Sequence, residues 1–166
     1  MKAALDVHYG REGATAACVT FETWGDAAPV EVHRTTVADV AGYRPGRFYE
    51  RELPCLLAVL RAAGREFEAI VIDGYVHLKP GAGKGLGQHL REALPYPAAV
   101  IGVAKNPLKV ADRFVPVARG RSAKPLYVSA AGCPPDAARK AVLAMHGPYR
   151  IPTLLRLADQ FARGAR

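Results

Sequence analysis

Three acidic residues occupy positions where a carboxylate needs a partner, and the first is Asp73. It ends the apolar run Ala69–Ile72 and precedes Gly74. A short run of this kind is typical of a strand that is covered on both faces. Because burying a lone carboxylate is costly, we expect Asp73 at the carboxyl end of that strand, where open α/β sheets bind ligands and metals. The alternative is a turn that simply begins with Asp-Gly.

The other two acids fall within apolar segments. Asp6 interrupts the segment Lys2–Tyr9, and Glu52 precedes Leu56 by one helical turn, which places it on the apolar stripe of its helix. A carboxylate that points inward near a helix start needs a cation, a metal or a hydrogen-bond donor. The alternative for Glu52 is an acid stabilised by the helix dipole. A functional interpretation therefore depends on whether the three acids meet.

Hydrophobic periodicity predicts the elements that position these acids. Segments Lys2–Tyr9, Thr15–Thr23 and Val30–Val37 are predicted strands, and their short, turn-like separators indicate an antiparallel meander. A helix is predicted over Phe48–Ala63, ended by Gly64, with Pro54 in or near its first turn.

The second half of the chain alternates between strands and helices. The Asp73 strand and a strand over Ala98–Val103, joined by a short helix over Gly85–Ala93, predict a right-handed βαβ unit. The remaining predicted elements are strands Val110–Val117 and Pro125–Ala130 joined by the basic turn Ala118–Lys124, a helix from Pro134 and Pro135 to Met145, and a last helix over Pro152–Ala162.

This order predicts one α/β domain over residues 1–166. Its mixed sheet combines an antiparallel three-strand meander with parallel strands and is flanked by helices. The same order occurs in the ribonuclease H-like fold, where the first strand is central. By that analogy Asp6 and Asp73 would be neighbours, and Glu52 would lean over them.

The composition favours a polyanionic partner. The chain has 166 residues, half of them apolar, and a formal net charge of +8 with a pI near 9.7. Phosphate neutralisation favours nucleic-acid binding by such a protein, although solubility alone is a sufficient reason for the charge. The apolar runs are too short for a membrane span, and no signal segment is evident. The three scattered cysteines argue for reduced thiols in the cytoplasm and against a zinc site.

Several segments, in order and spacing, resemble motifs of the endonuclease V family of ribonuclease H-like nucleases. They are Leu5-Asp6-Val7, Tyr43-Arg44-Pro45-Gly46 followed by Arg51-Glu52, the strand ending in Asp73-Gly74 with Gly85 and His89 downstream, and Ile101–Lys105, supported by Tyr149–Pro152 and Arg156–Asp159. The resemblance covers essentially the whole chain.

The resemblance implies a divalent-metal endonuclease that recognises deaminated adenine, as deoxyinosine in DNA or inosine in RNA. Members of the family nick the second phosphodiester on the 3′ side of that base. Asp6, Glu52 and Asp73 match the metal-binding carboxylates, with Mg²⁺ as the expected ion and Mn²⁺ as a substitute. Lys105 matches an active-site lysine, and Asp159 matches an acidic or histidine position on the last helix. Their alternatives are a solvent-exposed lysine and a partner for Arg156 or Arg163.

The same resemblance implies a base pocket formed by glycines. Without side chains, a flat extruded base can approach the backbone, whose N–H and C=O groups read its edge. Singly, each glycine could instead serve a turn. Tyr43 would be the wedge that fills the gap left in the stack. The residues implied for base binding are Tyr43, Pro45, Gly46, Gly74, Gly85 and Gly102, and His77 lies near the position of a family active-site histidine.

Two other functions remain open at this point. One is a non-catalytic nucleic-acid-binding protein that keeps the fold and the positive surface. The other is a ribonuclease H-like nuclease that cuts branched DNA and lacks the base pocket. The sequence favours neither DNA nor RNA and identifies no protein partner.

Overall fold

A computed structural model describes all residues, 1–166, as nine strands and four helices. The strands are β1 Lys2–Gly10, β2 Gly13–Phe21, β3 Glu31–Val37, β4 Ala69–Asp73, β5 His77–Leu78, β6 Ala99–Ala104, β7 Ala111–Asp112, β8 Phe114–Val117 and β9 Leu126–Ala131. The helices are α1 Phe48–Ala63, α2 Leu86–Ala93, α3 Pro135–Ala144 and α4 Thr153–Ala162.

The main sheet has seven strands in the order β3-β2-β1-β4-β6-β9-β8. β1, β2 and β3 form an antiparallel meander, whereas β1, β4 and β6 run parallel. The parallel neighbours β4 and β6 are connected through α2, as the βαβ pattern predicts. The predicted ribonuclease H-like plan, with the first strand inside the sheet, is confirmed.

Helices cover both faces of this sheet. Helices α1 and α2 pack with Ala3 and Leu5 of β1 on one face, and α4 packs with Ala4 on the other. Helix α3 packs on the same face as α4, over Val71 and Ile101 of β4 and β6. Side chains alternate along a strand, so β1 contributes residues to both layers. The run Ala69–Ile72 is buried throughout, as expected for a strand covered on both faces.

One local prediction was wrong. The predicted strand Val110–Val117 is interrupted at Arg113, whose φ of 49° is left-handed, and its first part, β7, pairs instead with the short strand β5. Helix α1 has the predicted bounds, and Pro54 lies in its second turn, next to the first. Most other strand and helix bounds differ from the predicted ones by one or two residues.

A buried arginine fixes the connection between α3 and α4. The Nη1 of Arg119 donates to the carbonyls of Tyr149 (2.7 Å) and Arg150 (3.2 Å), and its Nη2 donates to those of Met145 (2.6 Å) and Gly147 (3.2 Å). One side chain from the turn after β8 therefore satisfies four carbonyls of a loop that has little regular structure. None of the four helices has the length and hydropathy that a membrane crossing requires.

Candidate catalytic cleft and base pocket

The three predicted acids line one cleft of about 410 Å³, together with Lys105. We call it the catalytic cleft. It opens where β4 and β6 end, beside the middle of β1, and Asp6, Glu52 and Asp73 reach it from three separate elements. Residues that are far apart along the chain are thus brought to a single place.

Strand register explains this convergence. Leu5 pairs with Ile72 in the parallel β1–β4 ladder, so Asp6 and Asp73 stand one step beyond the last pair. Asp73 pairs with Val103 of β6, and Lys105 follows that strand on the same side. Glu52 comes from α1, which packs on the opposite face of the sheet.

The electrostatics of the cleft disfavour two ionised carboxylates without a counterion. Burial, reinforced by the charge of Asp73, raises the pKa of Asp6 to about 6. Burial also raises the pKa of Glu52 to about 7, with smaller contributions from the charges of Asp6 and Asp73 and against the opposing effect of a hydrogen bond from Tyr9. Carboxylates with raised pKa values in a cleft are typical of sites that bind a cation or move a proton.

Lys105 is the cation within the cleft. Its Nζ lies 2.9 Å from Oδ2 of Asp73. Burial opposes its charge, but the nearby charge of Asp73 and the hydrogen bond to it leave the pKa of Lys105 raised. The carbonyl of Lys105 accepts a hydrogen bond from Nη2 of Arg150, which also donates to Pro125 at 3.0 Å. The hydrogen bond from Arg150 therefore holds the main chain of Lys105 in place, and Asp73 keeps its side chain charged.

Two neighbours of Glu52 received no predicted role from the sequence, although Arg51 belongs to the Arg51-Glu52 motif. The hydroxyl of Tyr9 donates to Oε1 of Glu52 at 2.7 Å, and the guanidinium of Arg51 stacks over the Tyr9 ring at 3.5 Å. The only signal in the sequence is alternation along β1, because Tyr9 is three residues after Asp6 and so faces α1 instead of α4. This contact restrains the carboxylate of Glu52 at the edge of the cleft.

Asp159 lies beside the catalytic cleft without lining it. Its Oδ1 accepts from Nε of Arg163 at 2.8 Å, whereas Arg156 forms no ion pair with it. Its charge nevertheless acts on both Asp6 and Lys105. The structure thus shows the ion pair with Arg163, and the role that the resemblance implies for Asp159 stays a prediction.

The donor chemistry of the cleft fits a hard divalent cation, although its side chains do not form a finished coordination set. Carboxylate oxygens are the ligands that Mg²⁺ prefers, and a cation would offset the burial and the mutual repulsion that together raise the pKa of Asp6 and Glu52. No three acidic, histidine or cysteine side chains are grouped closely enough to hold an ion as they stand. Glu52 is bonded to Tyr9, and Asp73 is paired with Lys105.

A second cleft, of about 420 Å³, adjoins the first and has a mainly apolar lining. Tyr43, Gly46, Gly74 and Gly85 all line it. Tyr43 is 65% exposed, consistent with a loop-tip residue. Pro45 and Gly102 lie outside the lining. We call this cleft the base pocket, and Gly74 belongs to both clefts.

Gly102 and Gly85 permit close backbone packing beneath and beside the base pocket. A Cβ on Gly102 would lie 2.4 Å from the carbonyl oxygen of Gly74, and one on Gly85 would lie 2.5 Å from that of Val76. Gly74 itself has a φ of 131°, which side chains rarely adopt. Glycine is thus required at these positions by space or by conformation.

Neither His77 nor His89 lines the cleft that holds the carboxylates. Nε2 of His77 lies 2.8 Å from the carbonyl of Ala130, and His77 lines neither cleft. His89 stacks on Tyr49, with ring centroids 3.7 Å apart. Tyr49 lines the base pocket, so His89 supports its wall from behind.

Comparison with known proteins identifies close relatives. The family model described as Endonuclease V matches residues 1–120. The endonuclease V of Streptomyces avermitilis is 33% identical to this chain over 97% of it and 78% of the relative. That of Rhodospirillum centenum is 33% identical over 75% of this chain, which spans 59% of that relative.

Two solved structures show the same architecture. The crystal structure of endonuclease V from Streptomyces avermitilis matches 97% of this chain and 78% of its own, with a TM-score of 0.77 and 29% identity. A variant of Ciona intestinalis endonuclease V, in complex with a 23mer DNA containing an inosine followed by a ribo-adenosine, matches 98% of this chain and 83% of its own, with a TM-score of 0.81 and 18% identity.

Proposed function

The chain belongs to the endonuclease V family, and from that premise we propose that it is a metal-dependent endonuclease that nicks inosine-containing nucleic acid. The cut falls at the second phosphodiester on the 3′ side of the inosine. The substrate is deoxyinosine-containing DNA or inosine-containing RNA, in nucleic-acid repair or turnover. The DNA complex of the Ciona relative supports the choice of substrate.

The observation that best supports this proposal is the meeting of Asp6, Glu52, Asp73 and Lys105 in one cleft. A protein that only bound nucleic acid would gain nothing from negative charge beside a phosphate. The cleft also adjoins a pocket of suitable size and polarity for a flat base. These two adjoining clefts support a reaction that combines base recognition with phosphodiester cleavage.

Asp6, Glu52 and Asp73 would hold Mg²⁺, with Mn²⁺ as a substitute. A bound divalent ion polarises the scissile phosphate and lowers the pKa of water. Lys105 offers a point positive charge to a non-bridging oxygen of the phosphate once its bond to Asp73 is exchanged. Asp159 contributes negative charge next to Asp6 and keeps Arg163 oriented.

The base pocket would receive the extruded hypoxanthine. Gly46, Gly74 and Gly85 expose backbone groups that can read the edge of the base, while Tyr43 at the exposed loop tip fills the gap in the stack. Gly102 lies outside the lining and contributes by holding Gly74 in place, since only glycine lets the carbonyl of Gly74 come so near β6. Pro45 limits the freedom of the loop between Tyr43 and Gly46.

A nicking assay on fluorescent oligonucleotides tests the proposal. Wild-type protein with Mg²⁺ or Mn²⁺ should cut strands that contain deoxyinosine or inosine and leave the matched adenine strands intact. The Asp6→Asn and Asp73→Asn variants should lose at least about 100-fold of this activity, because each removes a ligand of the ion.

Asp136→Asn is the matched control, because Asp136 is an exposed acid on α3 that pairs with Arg139 and Lys140 outside both clefts. It should cut like wild type. If the wild type binds these strands and cuts none of them, the protein is a binder and the proposal is wrong. Cleavage of branched DNA in preference to inosine strands would refute the proposed substrate.

We further propose that residues 1–166 form one catalytic domain in the cytoplasm. A single seven-stranded sheet that includes both β1 and β9 supports the first point. Three cysteines without a disulfide are consistent with a reducing compartment.

A further inference from the structure

A third cleft, of about 380 Å³, lies at the turn end of the β1–β2 hairpin, next to the end of α4. We call it the arginine cradle. Its polar lining combines guanidinium groups, an imidazole and hydroxyls, from Arg11, Arg34, Arg163, His8, Thr15 and Thr36. These are groups that bind the oxygens of a phosphodiester. Neither the catalytic cleft nor the base pocket uses them.

The sheet register builds the cradle. His8, Thr15 and Thr36 are direct cross-strand neighbours on β1, β2 and β3. The hydroxyls of Thr15 and Thr36 lie 3.4 Å apart. Arg11 lies in the two-residue turn between β1 and β2. The cradle is therefore a product of the fold and not a chance cluster on a flexible loop.

The arginines of the cradle are largely without acidic partners. Arg163 pairs with Asp159, whereas Arg11 and Arg34 form no ion pair. Glu12 is the only acid in the lining. The guanidinium of Arg34 extends toward the end of α4, where its Nη2 lies 3.9 Å from the position that a Cβ on Gly164 would take. Positive charge is thus available to an anion from solvent.

The cradle lies close to the catalytic cleft, on the same face of the sheet as Asp6. Asp6 pairs with Ala17 of β2, and Ala17 pairs with Arg34 of β3, so Arg34 and Asp6 share one cross-strand row. Two strand spacings separate their backbones by about 10 Å. The Arg163–Asp159 ion pair also joins the two sites, because Asp159 acts electrostatically on Asp6.

We propose that the arginine cradle binds a phosphodiester of the substrate strand other than the scissile one. This inference rests on the proposed function, which places the scissile phosphate at Asp6, Glu52 and Asp73. Three carboxylates repel a polyanion, so a strand needs cations close beside them to be held there. The cradle supplies those cations on the side of β2 and β3, and Lys105 supplies one on the side of β6.

Binding of single-stranded oligonucleotides in EDTA tests the cradle without cleavage. Arg34→Gln, and independently Arg11→Gln, should weaken binding by about 3–10-fold at low salt and lower the slope of log K against log salt by about 0.7 each. The loss should be equal for inosine and adenine strands, because a phosphate contact does not read the base. Arg34→Lys should keep the slope, since it retains the charge.

The control is Arg139→Gln, which removes the same charge from an α3 arginine that lines none of the three clefts and is already paired with Asp136. If Arg34→Gln and Arg11→Gln give the slope and affinity of this control, the cradle is not a phosphate site. A loss in Arg34→Lys as large as in Arg34→Gln would indicate a structural role and also overturn the inference.

Shortening the oligonucleotide one nucleotide at a time locates the contact. The ratio of wild-type to Arg34→Gln affinity should fall to one when the phosphate that reaches the cradle is removed, and a constant ratio at every length refutes the inference. Inorganic phosphate could instead raise the Tm of wild type but not of Arg34→Gln, while both bind oligonucleotides equally well. That result would assign the cradle to a free anion and would also refute the inference. If Arg34 controls the slope but wild type never nicks inosine strands, the proposed function fails and the cradle stands.

Discussion

Glu52 is the least exposed charged group of the catalytic cleft, with 8% of its surface accessible. Its burial raises its pKa, and the hydroxyl of Tyr9 acts in the opposite direction by donating to the ionised form. Tyr9 is thus a positioning residue that keeps an inward carboxylate oriented and ionisable. Arg51, stacked over the Tyr9 ring, holds the phenol in turn.

Removal of that hydroxyl should change the pH dependence of cleavage. In Tyr9→Phe the pKa of Glu52 loses an influence that lowers it, so the acid limb of the nicking profile should move upward by about 0.5–1 pH unit. The Mg²⁺ concentration that gives half-maximal nicking should also be higher than for wild type. Tyr149→Phe, at a tyrosine that is 65% exposed, is the control. An unshifted acid limb in Tyr9→Phe would show that the contact only stabilises the fold.

Asp6 should lower the stability of the metal-free protein near neutral pH. Its pKa rises from 3.8 to about 6 on folding, so the folded state binds this proton more tightly than the unfolded state does. The resulting stabilisation is fully present below about pH 4 and is lost as the pH rises through 6, where the folded protein must bury the ionised carboxylate. Asp6→Asn should therefore raise the Tm at pH 8 in EDTA, by roughly 3–6 °C, and have no such effect at pH 4.

Thermal melts at both pH values, with and without Mg²⁺, measure this effect. Mg²⁺ should raise the Tm of wild type at pH 8 and leave that of Asp6→Asn nearly unchanged, because only wild type retains the ligand. A variant that is less stable than wild type at pH 8 in EDTA would mean that the hydrogen bond from the Val7 N–H to Oδ1 of Asp6 outweighs the cost of burying the charge.

The contact between β6 and the end of β4 depends on Gly102. The carbonyl of Gly74 occupies the space where a Cβ on Gly102 would lie, so the two elements approach more closely than any side chain allows. Because Gly74 lines both clefts, the position of β6 also decides how the catalytic cleft meets the base pocket.

Gly102→Ala should therefore reduce both stability and recognition. We expect a loss of about 1–3 kcal/mol in the free energy of unfolding, as in other overpacked cores, measured by urea denaturation. Selectivity for inosine over adenine strands should fall as well. Gly10→Ala is the control, since the nearest atom to its added Cβ would be 3.8 Å away. Equal stability in the two variants would contradict this account of the packing.

Sequence patterns were sufficient to predict the elements that have a continuous apolar run or a periodic apolar stripe. The apolar run before Asp73 and the stripe on α1 predicted both the strand end and the inward direction of Glu52. The break at Arg113 was missed, because a left-handed φ in a residue other than glycine has no local signal. The short strand β5 was missed as well, since two residues are too few to show alternation.

The predicted site residues were found by resemblance more than by pattern. Composition and periodicity alone leave Lys105 as a surface lysine and each glycine as a turn residue. The contact of Tyr9 and the position of Arg34 were not predicted, because both depend on register across neighbouring strands, which a single sequence does not reveal.

The whole molecule divides its charge between two kinds of surface. The net charge is +8, yet three acids are gathered in the catalytic cleft. Unpaired arginines lie on the flank formed by the β1–β2 hairpin and β3. In the proposed function, such a division lets phosphate contacts provide affinity on the outside while the acids bind a metal inside. Neither surface would suffice alone for an enzyme that must hold a polyanion against carboxylates.

The hydrogen bonds from Arg119 to four carbonyls should protect the loop between α3 and α4 from proteolysis. Lysine keeps the charge at this position but offers one ammonium in place of a planar fork, and it cannot reach all four acceptors. Arg119→Lys should therefore release the peptide between Met145 and Arg150, and trypsin should nick it at Arg150 while wild type resists. Mass spectrometry of a timed digest would detect this, and an intact segment in the variant would show that α3 and α4 hold it unaided.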